Sequence, residues 1–236
     1  MKTTSKMPWT AVAASALLLW NCSGDDRVNR DGTSMPANFV AVNDEIPSLT
    51  FDIRYYSADN FLGTRVPGYE SAKCLLTRPA AEALKSAQRE IAAKGFTFKI
   101  FDCYRPQRAV DHFVDWVNDP GDRRMKAMYY PNEEKSRLID KGYIADRSGH
   151  SRGSTLDLTL VEIASSEELD MGTPFDYFDT LSNTADPRIT DQQKRNRQVL
   201  KTVMEKHGFV NYDKEWWHYT LENEPFPDTY FDFLVK

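Results

Sequence analysis

The chain is poor in the residues that metal-binding and redox proteins most often use: its 236 residues include four histidines and three cysteines. No two cysteines fall in a Cys-x-x-Cys spacing, which excludes a thiolate zinc finger and a thioredoxin-like motif. There is no basic surplus either. Thirty Lys and Arg stand against 35 Asp and Glu, for a net charge of -5, so little is available to displace counterions from a phosphate backbone. Nucleic acid is thereby excluded as a main partner. Internal repeats and low-complexity tracts are also missing. What the chain does have is 41% hydrophobic and 12% aromatic residues, enough for a sizeable packed core.

The amino terminus differs from the rest. Lys2 and Lys6 precede the apolar run AVAASALLLW, which has the length of a signal-peptide core and is too short to span a bilayer. Cys22 follows in LLWNC, where the lipid-modified cysteine of a bacterial lipoprotein stands, although Asn21 replaces the usual small residue before it. Residues 1–22 are therefore expected to export the chain to the periplasm or cell surface with a lipid anchor on Cys22; cleavage to a soluble secreted protein is the alternative. Residues 23–40, polar and rich in turn formers, read as a tether, and residues 41–236 as one domain. An exported chain meets oxidising conditions in which Cys74 and Cys103 could bond. Two small buried apolar residues are the other reading of that pair.

Within the domain, SLTFDIRYY has the β-branched and aromatic content of a strand. A helix is expected from Arg78 to Lys94, with Thr77 as N-cap, Pro79 in the first turn and Gly95 as stop. FTFKIFDCY then alternates as a strand, and Pro106 opens a helix with apolar positions at Ala109, Phe113 and Val117. TLDLTLVEI is another strand. Asp191 to Gly208 reads as a helix with Asp191 as N-cap, and FVNYDKEWWHYTL as a closing strand pair. Two long turn-rich stretches, 119–147 and 165–190, could wall a cleft. The fold class this implies is α+β: a single domain with a largely antiparallel sheet, helices packed on one face and a central cleft.

Histidines need company before they count as ligands, and His112 and His207, inside helical patterns, lack it. His150 has Asp157 seven residues on, in SGHSRGSTLDLTL. An odd separation cannot share one face of an unbroken strand, but Gly149 and Gly153 permit a turn that brings His150 back beside Asp157. Thr155, Asp157 and Thr159 would then face the cleft, and Leu156, Leu158 and Leu160 the core. A catalytic zinc site takes three protein ligands and leaves a position for water. His218, in EWWHYT, is the candidate third ligand, and Glu215 the candidate base that takes a proton from water and passes it to a leaving amine. An aromatic core strand with a surface Glu and His is the alternative for that stretch. Arg105, in FDCYRPQRA, could stabilise an oxyanion at the metal; a surface pair with Asp102 or Asp111 is its simpler role.

Taken together, ADNFLG, VPGYE, FDCYRPQRAV, KGYIADRSGHSRGSTLDLTL, MGTPFDYFD, EWWHYTLENEPFP and the final YFDF resemble the D-alanyl-D-alanine dipeptidase family of zinc peptidases, in order and from about Ile46 onward. The resemblance implies one zinc ion held by His150, Asp157 and His218. It further implies Glu215 as catalytic base, Arg105 as the group stabilising the tetrahedral intermediate, and Ser148 and Asp176 as contacts to a dipeptide substrate. Cys74, Cys103 and the export signal are not part of that family pattern. An exported dipeptidase cannot meet newly made cytoplasmic D-Ala-D-Ala, so peptidoglycan turnover or scavenging is the expected role. The alternatives are a D,D- or L,D-carboxypeptidase trimming stem peptides with the same site, and a binding protein that has lost catalysis.

Overall fold

The computed structural model describes Met1 and residues 34–236; the expected export signal, Cys22 and most of the expected tether lie outside the described residues. The elements run β1 (Phe39–Ala41), α1 (Val42–Glu45), β2 (Thr50–Phe51), β3 (Leu75–Thr77), α2 (Arg78–Ala92), β4 (Phe96–Asp102), α3 (Gln107–Asn118), α4 (Lys126–Tyr129), β5 (Thr155–Glu162), α5 (Asp191–Lys206), β6 (Phe209–Asn211) and β7 (His218–Leu221). β1 and β3 form an antiparallel pair, and the main sheet has the order β2-β4-β5-β7-β6. Only its edge pair β2–β4 is parallel; the other three pairings are antiparallel. The α+β class and the largely antiparallel sheet are as the sequence implies.

Local sequence explains the two long helices. α2 buries Ala80, Ala81, Leu84, Ala87, Gln88 and Ile91, the three- and four-residue spacing of one helical face. The side chain of Gln88 ties that face to β4, donating to Thr97 Oγ1 at 3.0 Å and accepting from the Phe98 N–H at 3.2 Å. α5 is capped by Thr190 rather than Asp191: the Thr190 hydroxyl accepts from the Gln193 N–H while the Gln193 side chain accepts from the Thr190 N–H. This capping box stabilises by roughly 1 kcal/mol and moves the helix start by one residue. At α2, Thr77 occupies the N-cap position without capping, because its hydroxyl is engaged with Ser154 Oγ at 2.7 Å. The expected strand SLTFDIRYY pairs only over Thr50–Phe51 and then turns, with a short 3-10 helix at Arg54–Tyr56.

α2 and α5 pack on one another and reach β4 and β6, respectively. α3 packs differently: Phe113 lies 5.0 Å from the Tyr55 ring and 4.9 Å from Phe61, joining an aromatic cluster with Trp116 and Phe178. Cys74 and Cys103 are bonded, with Cα atoms 5.1 Å apart and 29 residues of separation. In the chain-entropy account, closing a loop of that length stabilises by roughly 3–4 kcal/mol.

Candidate metal centre and active site

Strand register places the site. Asp157 of β5 stands opposite Asp102 of β4 on one side and opposite His218 of β7 on the other. Directly opposed residues project to the same face, so three ionisable side chains form one row across the middle of the sheet. His150 joins them from a short 3-10 turn, Gly149–Arg152, that ends on Gly153 in the left-handed conformation (φ 82°). A Cβ at Gly153 would also come within 2.3 Å of the Phe39 ring, so glycine is needed twice over. This is the turn that lets two residues seven apart converge. Of the three β5 residues expected in the cleft, Asp157 lines it; Thr155 instead bonds Thr220 Oγ1 at 2.9 Å, and Thr159 is buried away from it.

The ring nitrogens have defined roles. His150 Nδ1 lies 2.7 Å from the carbonyl of Cys103, which can only accept, so Nδ1 carries the proton and Nε2 presents its lone pair. That Nε2 is 3.2 Å from Asp157 Oδ2 and 3.3 Å from His218 Nδ1. His218 Nδ1 in turn lies 3.1 Å from Asp157 Oδ1, yet this buried oxygen has no hydrogen bond of acceptable geometry. Ligands of a tetrahedral zinc at about 2.0–2.1 Å are about 3.3 Å from one another, so the spacing of all three donors and the orphaned oxygen both fit such an ion. Burial pushes His218 below its ordinary value, which keeps it neutral as a ligand must be. Burial pushes Asp157 up, but His150 and His218 beside it hold it well below the carboxylate range.

Arg105 is mostly buried and opens onto the cavity. Its Nε donates to Asp102 Oδ2 at 2.9 Å, Nη2 is 3.6 Å from Asp157 Oδ2, and the guanidinium lies over the rings of Tyr55 and Phe113 at 4.8 and 5.1 Å. Burial opposes its charge, but Tyr55, Asp102 and Asp157 raise its pKa further, so it is a permanent cation beside Asp157. The surface pairing considered for it with Asp102 exists, but inside the protein. Glu215 lies in the turn before β7, with Oε2 3.7 Å from His218 Nδ1; burial, then Asp157 and Asp176, push its carboxyl well up.

These residues line a cavity of about 290 Å³ together with Ser148 and Asp176, at the lower end of the roughly 300–1,000 Å³ range of ligand sites. Ser148 accepts the His150 N–H at 3.3 Å, which orders the turn. Asp176 has a positive φ of 60° and accepts from the Tyr55 hydroxyl at 2.9 Å; burial raises its carboxyl to about 8. His112 and His207 stand apart, as their helical settings imply; His207 Nε2 lies 3.0 Å from Glu90 Oε2.

The structure adds residues that local reading passes over. Asp102 is fully buried and is a hub, accepting from Tyr69 at 2.7 Å and from Arg105, and lying 3.6 Å from His150 Nδ1. Burial pushes its carboxyl up, against Arg105 and His150. Tyr55, Tyr143, Arg147, Tyr212 and Phe178 complete the lining.

A family model described as D-ala-D-ala dipeptidase, within peptidase family M15, matches residues 35–236. A D-alanyl-D-alanine dipeptidase of Enterococcus faecalis is 43% identical over 86% of this chain and 100% of its own length. Those of Enterococcus faecium and Streptomyces coelicolor are 40% and 42% identical, over 86% and 85% of this chain and again the whole of each relative. Among solved structures, a VanY D,D-pentapeptidase in complex with Zn(II) aligns at 12% identity over 66% of this chain and 77% of its own, with a TM-score of 0.40, too distant a likeness to inform the site.

Proposed function

The chain belongs to the D-Ala-D-Ala dipeptidase family of zinc peptidases, and from that premise we propose that it hydrolyses D-alanyl-D-alanine to free D-alanine. The observation that carries the reading is the clustering of His150, Asp157 and His218, whose donor atoms lie within 4.8 Å of one another in the wall of a small cavity. These three would hold the zinc ion. When bound there, zinc supplies Lewis acidity toward a carbonyl oxygen and toward water.

The chain's own groups do the rest. Arg105, fixed by Asp102 and two aromatic rings, presents a desolvated positive charge to the carbonyl oxygen as it becomes an oxyanion. Glu215, buried beside His218, accepts the proton of the attacking water and returns it to the departing amine. Asp176, in the cavity wall and bonded by the Tyr55 hydroxyl, would ionise against the substrate's ammonium group as it arrives, and Ser148 at the turn that carries His150 offers a hydroxyl to the peptide. The modest volume supports a dipeptide in preference to a stem peptide.

The cellular setting is part of the proposal. The charged start, the apolar run and Cys22 support export as a lipid-anchored protein, and a role in peptidoglycan turnover or scavenging of released dipeptides follows. The buried Cys74–Cys103 bond supports an oxidising compartment. Replacing Cys22 by Ser is expected to release the protein from the membrane fraction; unchanged fractionation would remove the anchor from the account. For substrate, zinc-loaded protein should release D-alanine from D-Ala-D-Ala and leave L-Ala-L-Ala and a D-Ala-D-Ala-terminated pentapeptide uncut. Preferential cleavage of the pentapeptide would make it a carboxypeptidase instead.

A further inference from the structure

Cys103 sits between the residues of the site, preceded by Asp102, which binds Arg105, and followed by Tyr104 and Arg105 itself. Its carbonyl accepts the bond that fixes the tautomer of His150. Strand pairing does not hold that carbonyl in place: β4 ends at Asp102, and its register against β5 shifts between Ile100 and Asp102. Three other restraints do. Two are backbone bonds, from the Tyr104 N–H to the Leu75 carbonyl at 2.9 Å and from the Arg105 N–H to the His150 carbonyl at 3.3 Å. The third is the disulfide, whose far end is itself anchored: the Cys74 carbonyl accepts from the Val42 N–H at 2.8 Å, and the Cys74 N–H donates to Asn43 Oδ1 at 2.9 Å. Both half-cystines are buried, at 0% and 1% exposure, so the bond is shielded from exchange in the folded protein.

We propose that the Cys74–Cys103 disulfide is a positioning strut for the metal centre, holding the Cys103 carbonyl where it sets the tautomer and ring plane of His150. The inference rests on the reading of His150 as a zinc ligand. Partners of the non-ligating nitrogen orient a metal-bound imidazole and raise its basicity, and their loss weakens metal binding by about 10–100-fold. The strut carries that effect one bond further, from a partner to what holds the partner. A disulfide that only closed a 29-residue loop would raise thermal stability and leave zinc affinity alone.

Zinc affinity measured by competition with a chromophoric chelator separates the two roles. The proteins compared are the wild type, Cys74→Ala/Cys103→Ala, and Cys74→Val/Cys103→Ala, which refills part of the lost volume so that core collapse in one pair does not decide the result. Leu84→Ala, in the buried face of α2, controls for a general loss of stability. A rise of about tenfold or more in the zinc dissociation constant for the cysteine variants, but not for Leu84→Ala, is expected. The downfield proton resonance of His150 Nδ1–H in the zinc-loaded protein should broaden or vanish with it. Unchanged affinity and resonance in a folded cysteine variant, or an equal rise in Leu84→Ala, would overturn the strut and leave the metal site standing. Failure of the wild type to bind zinc would overturn the ligand assignment and the strut together.

Discussion

On the sheet side of the site Asp102, Asp157 and His218 stand in register on three hydrogen-bonded strands, with Asp157 and His218 lining the cleft, whereas on the loop side Tyr143, Arg147, Asp176 and Phe178 line it from irregular segments. The sheet side cannot move one residue without moving its neighbours, because a one-residue slip turns every side chain to the opposite face. The loop side can vary in length and composition at small cost to the fold. Chemistry that needs donor atoms spaced to tenths of an ångström is thus built on strands, and the shape that selects a substrate is built on loops. His150 is the exception: a proposed ligand on a turn, which needs Gly153, Ser148 and the Cys103 carbonyl to reach the precision its strand-borne partners have by position.

Substitutions on the two sides should therefore fail differently. The largest effect is expected for Asp157→Ala, which removes a proposed ligand from the row: zinc content falls below stoichiometric and turnover drops to background, measured by metal analysis alongside a D-alanine assay. Arg105→Lys keeps the charge but loses the Nε–H bond to Asp102, and kcat should fall by about 10²–10³ with zinc retained. A fall in zinc content instead would mean that Arg105 acts mainly by holding Asp157. On the loop side, Tyr143→Ala is expected to raise KM severalfold, with kcat and zinc content nearly unchanged; a kcat loss as large as that of Arg105→Lys would erase the contrast between the two sides.

Asp176 gives the smallest and most pH-specific effect. Burial raises its carboxyl from 3.8 to about 8, so the folded state favours the protonated form. Its contribution to stability is fully present below the ordinary carboxyl value and is lost as pH rises through about 8. Metal-free Asp176→Asn should lose a few degrees less in Tm than the parent over that interval, and parallel curves would show that the carboxyl titrates normally.

What could be read in the chain follows the range of the interactions. α2 and α5 are written locally, in helical spacing and end signals; α2 ends at Ala92, two residues before the expected Lys94, and the cap of α5 shifts because Thr190 and Gln193 form a reciprocal pair that Asp191 cannot. The His150–Asp157 convergence is legible for the same reason: the glycines that permit it lie between the two residues. Asp102 is different. In FDCYR it sits three residues before an arginine, the spacing of an ordinary surface pair, and becomes a buried hub only when β4 and β5 align across more than fifty residues of sequence. Tyr55, which supports Asp176 from 121 positions away, is hidden by the same distance. The disulfide stayed open in the sequence because composition says nothing about Cα separation.

Glu215→Gln addresses the central claim most directly, because it changes one atom of the proposed base and leaves the three proposed ligands in place. Hydrolysis of D-Ala-D-Ala and bound zinc should be measured on the same preparations of wild type and variant. One zinc per chain in both, with kcat lower by about 10²–10⁴ in the variant, is the predicted result. Equal rates at equal zinc content, or no turnover of the dipeptide by the zinc-loaded wild type, would contradict the account.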